Sequence, residues 1–569
     1  MTKAYNIFFY FFICIILHSC SKDHPENVML VLEKAGNNKN ELVKFLNYYK
    51  EGNNPLKYKA ACFLVANMDQ YSYKEYNVQQ AFDQYFNILD SLNIVEGDYT
   101  PHQYKNSYSQ IFDDVSKITI DEEYHDIHQV SFDYLKKNLD HAFLAWENMP
   151  WAKHISFENF LEYILPYRFG EAPVEDWRTP LYRRYIGNHH PGYHDDGPVE
   201  LADAINMNIG REFGVDLGFT VYGQPLGYSQ LIKSRKGVCD DAVAYVVMRL
   251  RAIGIAASKD YTPYWADRNM GHSWNVVLSK DGEMIDFDAT YGRIGHRTMD
   301  DNKAPKIFRK QFSGNPEMIA NIINKHSDIP PALRHTNIID VTDEYVKTSD
   351  VKIKIPSADK QKNEQFAYIS VFCNLAWQPV YWGKVKKDKV VFEKMARDIV
   401  YLPLYYKNNQ IIPFSTPFIL SESGEIIFLK ANWNRTQTMV LKRKYPVFPR
   451  VKKFAEKMVY GRFQISNNPR FTNCKTIHEI KETPRFTPNI VELEKPLYAR
   501  YIRYYSPDNG HCNISELNVF NEKQQILNGN TIGNDMDNLK EYQKVTDGNK
   551  LTYYNAPTPA GDWVGMDLG

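Results

Sequence analysis

A multidomain α+β fold is what this sequence predicts, and three observations predict it. The chain has 569 residues, too many for one hydrophobic core; at roughly 150 residues per domain it divides into three or four units. Apolar residues recur at three- and four-residue spacing from residue 26 to about 150, the period of helices that bury one face. From about Ile339 the pattern becomes short β-branched and aromatic runs with turns between them, which reads as strands. The stretch between mixes the two periods.

The first twenty residues read as a processing signal. Lys3 precedes an apolar run from Ile7 to Leu17, of signal-peptide length and short for a membrane span. Leu17-His18-Ser19-Cys20 closes it and resembles the bacterial lipobox. That resemblance implies that Cys20 is lipidated and opens the mature chain. Ser21 after it implies outer-membrane sorting, facing the periplasm or the cell surface. No later stretch reads as a membrane helix, so the expected membrane contact is the N-terminal lipid alone.

Residues 21–149 form the expected helical domain. Its segments are Asn27 to Gly36, Glu41 to Tyr49, Tyr58 to Asn67, Val78 to Leu92 and Val130 to Asn148. Residues 150–335 mix helix and strand and carry the chemistry. Residues 336–446 are expected as a β-sandwich, from runs such as Val351 to Ile355, Phe366 to Phe372, Lys389 to Phe392 and Ile399 to Leu402. Residues 447–569 form a last β region with strands at Tyr498 to Tyr505 and Ile514 to Phe520.

Lys+Arg and Asp+Glu both number 68, and this zero balance gives no electrostatic case for a nucleic-acid partner. Of the seven cysteines, Cys14 leaves with the signal and Cys20 is the candidate lipid anchor. Cys62, Cys239, Cys373, Cys474 and Cys512 are too widely spaced for a disulfide framework.

Cys239 has a different context. Lys236-Gly237-Val238-Cys239-Asp240-Asp241 leads into a helix with Val243, Val246, Val247 and Leu250 on one face, stopped by Gly254. A thiol at a helix N-terminus is acidified by unpaired N–H groups and the aligned peptide dipoles. The same N–H groups are suited to an oxyanion. Asp240 and Asp241 oppose this unless they point away. Downstream, Gly271-His272-Ser273-Trp274-Asn275 begins a strand, Ser279 to Gly282 turns, and Met284 to Thr290 returns. A hairpin closed between Leu278 and Gly282 sets His272 opposite Asp288, near enough for the carboxylate to hold the imidazole, whereas closure a residue or two later sets Ala289 or Thr290 there. His272 is then a general base toward the thiol and Asp288 its orienting partner.

Taken in order, Gly-Val-Cys-Asp-Asp-Ala, Arg-Ala-Ile-Gly-Ile-Ala-Ala, Gly-His-Ser-Trp-Asn and Asp-Phe-Asp-Ala-Thr resemble the core of the transglutaminase-like superfamily, relatives of papain-like cysteine proteases. The likeness is close over about 55 residues and loose over 150–330. It implies a papain-like α+β core and a catalytic Cys239, His272 and Asp288, without a cofactor. Ala289 departs from the Pro common after the Asp. Gln230 is the candidate oxyanion side chain, and Trp274 either walls the cleft or packs in the core. Asn188 to Asp196, with His189, His190 and His194, is dense in metal-capable groups, but its spacing matches no zinc signature and it reads as a polar loop.

The segment Lys495 to Tyr504 with Cys512 to Leu517 resembles the discoidin, or galactose-binding-like, β-sandwich. Val545 to Asn549 with Gly561 to Gly569 resembles the opening of another copy, which predicts an incomplete C-terminal unit. The expected activity is a lipid-anchored cysteine amidase or peptidase that attacks an amide carbonyl through a thioester, on a peptide or glycoprotein substrate, with a possible glycan ligand. The alternative is a non-catalytic glycan- or protein-binding lipoprotein that uses the same domain as scaffold.

Overall fold

The computed structural model describes residues 24–92, 118–187, 197–290, 293–295, 302–323, 328–356, 364–440, 455–485, 488–508, 510–535, 539–550, 552–556 and 560–569. The leader with Cys20 and the segment Asn188 to Asp196 lie outside the described residues. The chain forms two compact units, one ending at Asn432 and the other beginning at Trp433.

In the first unit, three helices start where short polar side chains take up orphan N–H groups. Asn54 accepts from Lys57 N, with Pro55 at the first helical position. Ser131 caps the helix Phe132–Asn148 and Ser156 the helix Phe157–Tyr163. The expected boundary at 149 does not separate two cores. Val31, Phe45, Leu64, Leu135 and Leu139 pack in one cluster with Val243, Val247, Leu250, Phe287 and Phe312. The reason lies in the helix Cys239–Ala252. Every residue from Asp241 to Met248 is buried, so its apolar surface is all-round rather than one face. The helix is covered by the central sheet and by the helices Phe132–Asn148, Arg178–Gly187 and Pro198–Ile209.

The central sheet is antiparallel, in the order Met284–Phe287, His272–Leu278, Ala257–Thr262, Phe308–Lys310, Ile338–Asp340. The strands beyond it form two further antiparallel sheets. Thr348–Lys354 pairs with Lys389–Ala396, with Val351 and Ile353 inward and Lys352 and Lys354 outward. The other sheet runs Ala376–Lys384, Phe366–Cys373, Ile399–Lys407, Phe418–Leu420, Ile426–Phe428. Phe366, Tyr368 and Leu404 pack on Phe308, Leu333 and Ile338, so residue 335 does not end a core either.

The second unit holds a five-stranded sheet over a small core that includes Ile502, Tyr504, Cys512, Tyr542 and Val564. Its strand Trp563–Asp567 lies between Tyr501–Tyr505 and Asn530–Gly533 and is paired along both edges. This corrects the reading of that segment as the opening of a further copy. Val564, Gly565 and Met566 are all buried, as suits a strand that the same sheet uses in its interior.

Candidate active site

Cys239 begins its helix as expected, and the backbone before it is held by Asp241. The Asp241 carboxylate accepts from Val238 N at 2.8 Å and from Leu226 N at 2.9 Å. Burial raises its pKa to about 6 in spite of these bonds. Gly237 is required because a Cβ there would stand 2.6 Å from the Asp241 Cβ. Asp241 is therefore taken up by the backbone, while Asp240 stays near the thiol and is neutralised elsewhere. Asp240 forms an ion pair with Lys259 at 3.0 Å and accepts from the Ser273 hydroxyl. Ser273 Oγ also lies 3.6 Å from Cys239 Sγ, and its single proton serves one of the two acceptors at a time. The first-turn N–H groups of Cys239 and Asp240 precede the helix's own ladder and remain the backbone donors beside the sulfur.

His272 Nε2 lies 2.9 Å from Asp288 Oδ1, which leaves Nδ1 as the ring nitrogen for the thiol. The route to this pair differs from the expected one. Leu278 pairs with Met284 and Asn275 with Phe287, so the hairpin closes two residues later than predicted. Continued outward, that register sets Asp288 across from Trp274 and diagonal to His272. The strand ends at Phe287, and the chain turns back to bring Asp288 to the imidazole. Asn206 fixes this turn from the helix Pro198–Ile209. Fully buried, it donates to Asp288 O at 2.9 Å and accepts from Thr290 N at 2.8 Å. Gly271 lets the chain enter the strand against Thr262 and Pro263, whose carbonyls would stand 2.4 Å from a Cβ.

The charges follow from this geometry. Burial opposes an imidazolium at His272, but hydrogen bonds to Asp288 and Cys239 and their charges outweigh it and raise its pKa to about 9. Burial likewise opposes a thiolate, and Asp240 adds repulsion. The bonds from His272 and Ser273 prevail, and the Cys239 pKa falls below its ordinary value. Each partner thus favours the charged form of the other.

The remaining predicted residues divide. Trp274 is 1% exposed, packs with Trp265, Val276 and Ile307, and donates to Tyr345 at 3.0 Å, so it is core behind the imidazole. Tyr345 passes that bond to Asp260, which Arg309 grips with two bonds of 2.9 and 2.8 Å. Gln230 is corrected as the oxyanion side chain. Its Oε1 accepts from Gly227 N and its Nε2 donates to Tyr222, so both ends of the amide serve local structure. The sequence reading missed Ser273, although it lies in the quoted motif, and Trp265, whose ring stacks 6.2 Å from His272. It also missed Asn206, for which no local signal exists. Cys62, Cys239, Cys373, Cys474 and Cys512 are all free thiols. Among the described residues, no cluster of three His, Cys, Asp or Glu is placed to hold a metal ion.

No family model matches the chain, and no curated protein matches it. Among solved structures it is similar to one described as "a Putative Cysteine Protease from Cytophaga hutchinsonii", at 23% identity and a TM-score of 0.17. The likeness covers 22% of this chain and 40% of that one, so the match spans well under half of that protein.

Proposed function

We propose that this chain is a cysteine hydrolase or acyltransferase acting on an amide bond. The observation that carries the reading is the ordered contact of Cys239, His272 and Asp288 at a helix N-terminus. The thiolate attacks the carbonyl carbon, and the charge on oxygen faces the first-turn N–H groups. As the C–N bond breaks, the His272 imidazolium gives its proton to the leaving nitrogen, and a thioester remains. Water then gives a proton to His272 as its oxygen attacks, and the thiolate leaves. An amine in place of water makes the same site a transamidase; hydrolysis is the reading preferred here. The lipobox-like leader supports an exported, lipid-anchored enzyme, and the discoidin-like C-terminal region supports a peptide or glycoprotein substrate.

The test is alkylation of Cys239 by iodoacetamide from pH 5 to 9, read by mass spectrometry, with His272→Ala alongside. The reading expects reaction well below the ~8.5 of a free thiol, lost without His272. A Cys239 that titrates as a free thiol in both proteins overturns it.

A further inference from the structure

Beside the thiol, the central sheet presents an unusual pair of cations. In the strand Ala257–Thr262, Lys259 and Tyr261 are partly exposed while Ser258, Asp260 and Thr262 are buried. Asp260 pairs with Arg309 and Tyr261 with Phe308, and continuing that register sets Lys310 directly opposite Lys259. Like charges facing each other across two strands repel. Only one of the two is neutralised. Asp240 pairs with Lys259, whereas Lys310 Nζ donates to the neutral Asn337 Oδ1 at 2.6 Å. No carboxylate among the described residues pairs with Lys310. Burial, then the charge of Lys259, push its pKa down to about 8. His335 packs edge-on to Tyr261 and is kept neutral, its pKa pressed down to about 3 by burial and by both lysines. The Tyr261 hydroxyl is buried without a hydrogen-bond partner among the described residues.

Lys259 ties this pair of cations to the thiol, and Lys310 faces Lys259 from the neighbouring strand. Lys259 contacts Asp240, Asp240 contacts Ser273, and Ser273 contacts Cys239, so Lys259 is three contacts from the sulfur. An amide substrate seated on Cys239 would carry its neighbouring groups over this face.

Resting on the cysteine-nucleophile reading above, we propose that Lys310, with Lys259 and the Tyr261 hydroxyl, forms a subsite for a carboxylate close to the scissile amide, which makes the substrate class an acidic peptide. A carboxylate there takes charge-assisted hydrogen bonds from Lys310 and relieves the repulsion between the facing lysines. It also gives the Tyr261 hydroxyl an acceptor.

The test uses affinity alkylation of the whole chain at pH 6.5, in which Cys239 Sγ displaces bromide as the C–S bond forms. N-bromoacetylglycine carries a terminal carboxylate, and the α-amide of N-bromoacetylaspartate carries a side-chain carboxylate. Each is compared with its own neutral amide. The proposal expects at least one acid to react about tenfold faster than its amide, the scale of a hydrogen bond between charged groups. The better of the two acids identifies the carboxylate's source. In Lys310→Met the acid-to-amide ratio falls toward one, and in Lys310→Arg it recovers. The ratio is taken within each protein, so a general loss of reactivity cancels. Ratios near one in the wild type, or a ratio unmoved in Lys310→Met, overturn the subsite while leaving the nucleophile reading intact. A Cys239 that none of the four probes labels overturns that reading and the subsite with it.

Discussion

Replacing Asp288 by Ala tests the link on which the site depends. His272 is held at about 9, against an ordinary ~6.5, which corresponds to roughly 3 kcal/mol in favour of the imidazolium. Burial works against that value, and the bond to Asp288 is the largest contribution in its favour. A hydrogen bond to a charged group contributes about 1.5–3 kcal/mol. Loss of Asp288 therefore moves the His272 midpoint down by about one to two pH units. The midpoint is read from the ring nitrogens by ¹⁵N-edited NMR, with Asp288→Asn expected between Ala and wild type because it keeps an acceptor without the charge. The sign carries over to stability. A base whose pKa is raised on folding contributes fully below its unfolded pKa of ~6.5 and loses that contribution as pH rises through about 9. The deficit of Asp288→Ala in thermal unfolding is thus largest near pH 6 and fades above pH 9. A His272 midpoint that stays within a few tenths of a pH unit of wild type refutes the assignment of Asp288 as its partner.

Two further outcomes follow from the supporting residues. Asn206→Ala leaves Asp288 O and Thr290 N without their buried partner; about 2–3 kcal/mol is lost in urea unfolding, and the His272 midpoint falls as its carboxylate loses position. Arg309→Ala strands the fully buried Asp260 and costs about 3–5 kcal/mol in guanidinium unfolding, part of which Asp260→Asn in the same chain restores.

Much of the site was legible because its signals are local. A Gly before a Cys that opens a periodic run, and a His-x-Trp strand followed by a turn and an Asp, are read within short windows, and each window holds one element. The helix at Cys239 and the strand at His272 form where those patterns place them. The two-residue difference in hairpin register has a physical origin. Turn residues narrow where a hairpin closes, but the register is decided by which face the sheet buries. Here Val276, Val277, Phe287 and their neighbours settle it. Asp288 reaches His272 only because Asn206, more than eighty residues away in sequence, bends the chain after the strand.

The same distinction separates the rest. Sequence by itself determined the α+β composition and the change from helix to strand, and it pointed to the proposed thiol, imidazole and carboxylate, because side-chain period and turn chemistry are local properties of the chain. Only the tertiary structure decided that the N-terminal helices and the Cys239 helix share one core, that Gln230 is taken up by a helix cap, and that Trp563–Asp567 lies inside the last sheet. It also decided that Lys259 and Lys310 face each other across neighbouring strands. These depend on which distant surfaces must cover one another to remove apolar area from water and satisfy buried polar groups, and no single stretch of sequence carries that information.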